Sequence, residues 1–254
     1  MAGDAAAPED ILTLTLRTRV EPFKGTNEWH EVTLEREMPA AETVLILCDV
    51  WDRHWSRGAS ERVDILAPRI DRFARAARER GVFVIHAPSD TMGFYRDHPA
   101  RRRMTELPAA EPPEPVEIAD PPLPIDDSDG GSDTGETSWY PAWTRQHPAI
   151  EIRDEDGISD DGQEVYSLLH RRGIRNLLIA GVHTNMCVLN RSFGIRAMAR
   201  RGVRCVLARD LTDSMYNPRM PPFVSHDEGT ELVIRHIEKY WCPTMHSGDL
   251  AGGA

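Results

Sequence analysis

Residues 42–50 have the sequence ETVLILCDV, from which the fold class can be inferred. It is an unbroken apolar run ending at Asp49, typical of a strand buried on both faces of a parallel sheet. Further apolar runs predict strands at residues 81–88, 148–153, 174–182 and 203–210, and helical spacing predicts helices at residues 60–80, 160–172, 187–201 and 226–240. Because strands and helices alternate, we expect βαβ units and a three-layer α/β/α domain.

Two segments depart from this alternation. Residues 11–19 and 31–36 alternate apolar and polar side chains around a turn-rich stretch, which predicts a β-hairpin within an N-terminal extension, residues 1–41. Residues 104–147 are rich in Pro, Asp and Gly and predict a long loop insertion. That insertion belongs to a main domain of residues 42–242, and residues 243–254 are expected to form a flexible C-terminal tail.

The composition excludes several classes of function. The chain has 254 residues, with 30 Lys and Arg against 41 Asp and Glu, and a net charge of −11. Such an acidic chain lacks the basic surface that nucleic-acid binding requires, and no apolar run approaches the ~20 residues of a membrane span. The first ten residues do not have the pattern of a signal peptide, so we expect a cytoplasmic protein that binds neither nucleic acid nor membrane.

Polar side chains collect just after the predicted strands, where ligands of open parallel sheets bind. These residues are Asp49, Asp52, His54, His86, Arg153, His183, Asn185 and Cys187. Cys187 is the strongest candidate for chemistry, because it follows a Gly-Val-His-Thr-Asn turn and begins a predicted helix. The positive end of a helix favours thiolate, and N–H groups of such a turn can hold an oxyanion. The alternative is a buried cysteine that only packs, which the turn context disfavours.

The stretches ILCDVWD and IAGVHTNMCV resemble the two signature motifs of the isochorismatase-like cysteine hydrolases, a superfamily that includes nicotinamidase and N-carbamoylsarcosine amidohydrolase. The resemblance spans about residues 42–240. It implies a mostly parallel six-stranded sheet and a cis peptide bond between Val182 and His183. It also implies that Cys187 is the nucleophile, that Asp49 accepts its proton, and that N–H groups around His183 and Cys187 form an oxyanion hole. The implied reaction is amide-type C–N bond hydrolysis through a thioester, with no cofactor required.

The third residue of the superfamily's catalytic set is a lysine, expected near residues 150–154. This chain has Ile150-Glu151-Ile152-Arg153 there, and its two lysines, Lys24 and Lys239, lie elsewhere. Arg153 is the natural substitute, but arginine is larger, planar and unable to give up its proton. A surface arginine beside Asp154 and Glu155 is the other interpretation.

Asp52 and His54 form a D-x-H pair of the kind that nicotinamidases use to hold a metal, although here it follows the first main strand and not the second. With His86 the pair could hold zinc, iron or manganese, or the three residues could simply make hydrogen bonds. This leaves two alternatives to the bare cysteine hydrolase. One is a metal-assisted, nicotinamidase-like hydrolase, and the other is a non-catalytic small-molecule-binding relative that lost the lysine.

We expect four further residues to contact the small-molecule substrate: Trp51, Trp55, Tyr95 and Asn185. Relatives of this fold often associate, so by analogy we also expect a homo-oligomer.

Overall fold

The computed structural model describes residues 10–251. Its strands are β1 (Ile11–Val20), β2 (His30–Pro39), β3 (Thr43–Cys48), β4 (Phe83–Ala87), β5 (Gly157–Ile158), β6 (Asn176–Val182), β7 (Arg204–Asp213) and β8 (Thr244–Met245). Its α-helices are α1 (Arg57–Glu79), α2 (Pro99–Thr105), α3 (Gly162–Arg172), α4 (Ile195–Arg200), α5 (His226–Tyr240) and α6 (Gly248–Ala251). No helix among residues 10–251 is long and apolar enough to cross a membrane.

All eight strands form one sheet in the order β2-β1-β8-β7-β6-β3-β4-β5. The six strands β3 to β8 pair parallel to one another, and β1 and β2 add an antiparallel hairpin at one edge. The six parallel strands agree with the sheet that the resemblance implies, and the hairpin raises the total to eight.

The central strands are apolar on both faces because helices cover both. Leu45 and Leu47 on β3 belong to a core cluster with α1, whereas Val44 and Ile46 belong to a second cluster with α3, α4 and α5. Every residue of β3 and β6 is buried. The predicted three-layer architecture is therefore confirmed.

Two predicted elements near the site are wrong in detail. Residues 148–153 are not a strand, and the edge strand is the two-residue β5 further along. The single helix predicted for residues 187–201 is instead a π-helical turn, Thr184–Val188, followed after a break by α4. The break covers residues 191–194, and Gly194 is the N-cap of α4 with an extended ψ of 177°. Glycine has a low helix propensity, which favours a break at this position.

The predicted extension and tail are both parts of the sheet. Thr244 on β8 pairs with Leu207 on β7 and with Arg17 on β1, so the C-terminal segment joins the hairpin to the main sheet. Met245 and Leu250 are buried in the core. The expectation of a flexible tail from residue 243 is thus wrong up to residue 251. Residues 1–9 of the predicted extension and 252–254 of the predicted tail lie outside the described residues.

Residues 106–147 of the insertion contain no helix or extended strand. The first part lies against α3 and α4, where the Ala110 backbone N–H donates to Ser167 and the Val116 backbone N–H donates to the Arg200 carbonyl. The last part reaches the end of β3, where Gln146 forms an isolated bridge with Trp51. This path places the insertion over the predicted site.

Candidate active site

The end of β3 positions a buried carboxylate. Asp49 follows the last residue of the strand with a φ of 48° and has no solvent-exposed surface. Its Oδ1 accepts a hydrogen bond from the Ser89 backbone N–H at 2.8 Å, and its Oδ2 accepts one from Arg191 Nε at 2.9 Å. Burial raises the pKa of Asp49, and the nearby Arg191 guanidinium opposes that rise.

Cys187 lies in the π-helical turn after β6, with its thiol beside the Asp49 carboxylate. Burial raises the pKa of Cys187 well above its ordinary value, and the Asp49 charge raises it further. Arg191 and the His183 backbone N–H act in the opposite direction. The expected helix-terminus effect is therefore outweighed, and Cys187 rests as a thiol beside a carboxylate that can accept its proton.

Arg191 supplies the cation of this cluster. Its backbone N–H donates to the Cys187 carbonyl, so the turn carries nucleophile and guanidinium on adjoining positions. The Arg191 guanidinium bridges Asp49 and Asp90, with Nη2 3.2 Å from Asp90 Oδ2, and lies 6.0 Å from the centre of a Trp51 ring.

Arg153 does not occupy this position. Its guanidinium lies 3.5 Å from Glu151 at the surface, and its backbone N–H donates to Asp156. The expectation that Arg153 replaces the superfamily lysine is corrected, because the segment predicted as a strand is a loop that directs this side chain to solvent-exposed Glu151.

The peptide bond between Val182 and His183 is cis, as the resemblance implies. The turn that follows is fixed by buried polar contacts: Thr184 Oγ1 lies 2.7 Å from Thr212 Oγ1, and the Asn185 side chain donates to Asp127 and to the Met215 carbonyl. These contacts hold the backbone N–H groups around Cys187 in place.

A cavity of about 320 Å³ opens beside the Cys187 thiol. Most of its wall is apolar, and the insertion contributes a large part of it. The lining residues are Trp51, His54, Trp55, Asp90, Asp129, Gly130, Thr137, Trp139, Trp143, His183, Met186, Cys187, Arg191 and Met215. Trp51 and Trp143 stack with ring centroids 4.1 Å apart and an angle of 9° between their planes.

Two histidines of this wall are uncharged at neutral pH. His54 and His183 meet edge to face with ring centroids 4.9 Å apart. Burial lowers the pKa of His54 to about 4 and that of His183 to about 3. His183 is 1% exposed and its Nε2 lacks a hydrogen-bond partner among the described residues.

The four predicted substrate contacts divide into two pairs. Trp51 and Trp55 line the cavity. Tyr95 does not line it, because its hydroxyl accepts the Gln146 backbone N–H away from the cavity, and the Asn185 side chain is buried in the turn contacts described above. Both polar side chains thus hold loops and do not face a substrate.

The three predicted metal ligands are not brought together. Asp52 accepts hydrogen bonds from Thr144, and His54 Nδ1 accepts one from the Ser56 backbone N–H. Both His86 ring nitrogens contact other side chains, at 3.0 Å from Gln146 Oε1 and 3.0 Å from Asp156 Oδ2. Residues 10–251 hold no group of three or more His, Cys, Asp or Glu placed for a metal, so these three residues do not fit one.

The sequence did not single out Arg191 or Trp143. Arg191 carried a usable signal, since it lies four residues after Cys187, the spacing that brings side chains to one face of a helical segment. Trp143 lies in a Pro-rich loop without periodicity, so nothing in its surroundings predicted that it would reach Trp51.

Comparison with known proteins agrees with this geometry. Residues 136–234 match the family model of the isochorismatase domain. No curated protein matches the sequence significantly. The matched region contains the IAGVHTNMCV stretch and so agrees with the resemblance to the isochorismatase-like superfamily.

Solved structures show the same fold. A cysteine hydrolase from Pseudomonas syringae is 17% identical with a TM-score of 0.53, and the match covers 84% of this chain and 92% of that one. An isochorismatase from Pseudomonas putida is 14% identical with a TM-score of 0.50, covering 83% and 91%. An isochorismatase-like hydrolase from Alkaliphilus metalliredigens is 12% identical with a TM-score of 0.50, covering 84% and 97%.

Proposed function

We propose, from the isochorismatase-family hydrolase fold that this chain has, that it cleaves the amide-type C–N bond of a small molecule with Cys187 as nucleophile. The observation that carries the proposal is the placement of the Cys187 thiol beside a buried carboxylate, Asp49, whose Oδ2 lies 2.9 Å from Arg191 Nε. A thiol is a weak nucleophile until its proton is removed, and an adjacent carboxylate is a suitable base.

The reaction would proceed in two halves. As Cys187 Sγ attacks the carbonyl carbon, the thiol proton moves to Asp49, and backbone N–H groups of the 182–187 turn stabilise the oxyanion. The C–N bond then breaks, the leaving amine takes the proton from Asp49, and a thioester remains. Water attacks the thioester while Asp49 accepts a proton from that water. Asp49 then passes the proton to the departing Cys187 thiolate, so the product leaves as a carboxylic acid and the thiol and carboxylate are restored.

Arg191 would keep a positive charge beside Asp49 and Cys187 before and after this proton transfer. When Asp49 carries the negative charge, the guanidinium faces it directly, and when the charge moves to Cys187 the same cation remains beside the pair. Because the cation is present on another element, the missing lysine no longer favours a non-catalytic relative. The proposed steps use only side chains, backbone groups and water.

Ammonia release from a panel of small primary amides tests the proposal. We expect Cys187→Ala to abolish release and Asp49→Asn to lower it at least ~10³-fold, whereas Cys205→Ala, which alters a buried thiol outside the site, keeps it. Circular dichroism would verify that the variants are folded. Release by Cys187→Ala at the wild-type rate would overturn the proposal.

A further inference from the structure

The wall of the active-site cavity is apolar and its formal charge is negative. Four tryptophans and two methionines supply the apolar part: Trp51, Trp55, Trp139, Trp143, Met186 and Met215. Asp90 and Asp129 also line the cavity, and Asp49 lies directly behind Arg191. The cavity and its immediate surroundings therefore hold three carboxylates and one guanidinium, and transfer of a proton from Cys187 to Asp49 leaves this net charge unchanged.

The one guanidinium of the wall is already engaged. Arg191 donates through Nε to Asp49 at 2.9 Å and through Nη2 to Asp90 at 3.2 Å. A substrate carboxylate at this place would have to compete with two protein carboxylates. His54 and His183 add no positive charge, because burial keeps both neutral at pH 7.

The second acidic residue of the rim has no cationic partner among the described residues. Asp129 Oδ2 accepts a hydrogen bond from the Asn217 side chain at 2.7 Å, and Asp129 Oδ1 accepts the Gly131 backbone N–H at 2.9 Å. Both donors are neutral, so no cation offsets the negative charge of Asp129 toward a substrate group that enters the cavity beside it.

From these charges we infer that the substrate places an apolar group without negative charge, cationic or neutral, against the tryptophans, and that substrates bearing a carboxylate on that group are rejected. Tryptophan faces bind apolar groups and attract cations. An anion that left water for this wall would lose hydration without gaining a free cation. This inference rests on the proposed function, since it assumes that the cavity beside Cys187 receives the substrate.

Asp90 determines the charge preference in this account. It is 58% exposed at its side chain, lies at the cavity rim with a φ of 66°, and meets Arg191 on one side only. Asparagine tolerates the same left-handed backbone, so Asp90→Asn removes the charge with little change of shape.

Calorimetric titration of the Cys187→Ala variant tests the inference without turnover. The probes are three para-substituted phenylacetamides that carry a trimethylammonium, a tert-butyl or a carboxylate group, of which the first two have the same shape. We expect the trimethylammonium amide to bind at least as tightly as the tert-butyl amide, and the carboxylate to bind at least tenfold more weakly than either. Adding Asp90→Asn should narrow the ratio of cation to anion affinity at least threefold, whereas adding Asp97→Asn, an exposed change outside the cavity, should not.

Equal binding of the carboxylate and the tert-butyl amides would overturn the inference, as would no binding of any of the three. Either result leaves the proposed function open to its own test, because ammonia release that depends on Cys187 from an amide of another class would still support the hydrolase. If none of the three amides binds and no amide releases ammonia in a Cys187-dependent way, the inference and the proposed function are both contradicted.

Discussion

At the scale of single residues, the site depends on which arginine faces Asp49. Sequence alignment to the superfamily lysine pointed to Arg153, whereas the contact at 2.9 Å belongs to Arg191. Asp49 and Cys187 could be picked out from the sequence because they follow buried strands, whose ends are readable from apolar runs, and the cis peptide bond at 182–183 was implied by the resemblance. The spacing of four residues places Arg191 on the same helical face as Cys187, but spacing alone does not show which carboxylate so long a side chain reaches.

Substitutions of Arg191 and Arg153 are expected to differ in their effect on activity. We expect Arg191→Gln to lower kcat/KM for an amide substrate at least ~10²-fold, because Asp49 loses the cation that opposes its burial. Arg191→Lys should retain more activity than Arg191→Gln, since an ammonium keeps the charge but cannot span Asp49 and Asp90 with a planar fork. Arg153→Gln should stay within about twofold of wild type.

The pH profile separates this electrostatic role from a structural one. Arg191 lowers the pKa of Asp49, so its removal should move the acid limb of kcat/KM to higher pH. An unchanged acid limb in Arg191→Gln, or a large loss in Arg153→Gln, would contradict the assignment.

At the scale of elements, the insertion is irregular but closely attached. Asp133 forms an ion pair with Arg62 on α1 at 2.7 Å, and Asp127 accepts a hydrogen bond from Asn185 in the catalytic turn at 2.7 Å. The Pro, Asp and Gly content of this segment predicted an irregular loop. It could not predict the attachments, because each joins residues more than fifty positions apart and none has a local pattern.

Two glycines of the insertion offer a matched test of this attachment. Gly131 has a φ of 74°, and a Cβ there would lie 2.5 Å from the Met215 backbone, whereas Gly135 has a φ of 93° with nothing within 4 Å. Alanine at Gly135 should therefore cost only left-handed backbone strain, about 1–2 kcal/mol. Alanine at Gly131 must also displace the insertion from Met215 at the cavity wall.

We expect Gly131→Ala to lower the free energy of unfolding by at least about 2 kcal/mol more than Gly135→Ala, measured by urea denaturation. Gly131→Ala should also speed proteolytic cleavage within residues 106–147. Equal costs for the two variants would show that the insertion does not rest on Met215.

At the scale of the whole molecule, the chain ends complete the sheet. Leu12, Leu14 and Leu16 on β1 are buried, and Arg17 and Arg19 both donate to the buried Glu238 carboxylate on α5. The alternation that predicted a hairpin is the pattern of a strand with one buried face. The pairing of β8 with β1 could not be predicted, because the two residues of β8, Thr244 and Met245, are too few to show a strand's alternation of buried and exposed side chains.

A second buried network ties α1 and β4 to the loop before β5. Asp156 is 2% exposed and accepts hydrogen bonds from Arg78 at 2.7 Å and from the Arg153 backbone N–H at 2.8 Å, with His86 Nε2 at 3.0 Å. These contacts together outweigh burial and lower the pKa of Asp156 to about 2 from 3.8. The folded state therefore favours the ionised carboxylate more strongly than the unfolded state does.

The lower pKa of Asp156 in the folded state predicts how the free energy of unfolding depends on pH. The contribution of Asp156, about 2 kcal/mol, should be fully present above pH 4 and lost as the pH falls from about 4 to 2. Asp156→Asn should be less stable at pH 7, because it leaves Arg78 buried without its carboxylate, and should lose less stability than wild type between pH 4 and 2. Asp154→Asn, an exposed change in the same loop, should follow wild type throughout. Urea denaturation at each pH gives the three curves, and parallel curves for wild type and Asp156→Asn would contradict the prediction.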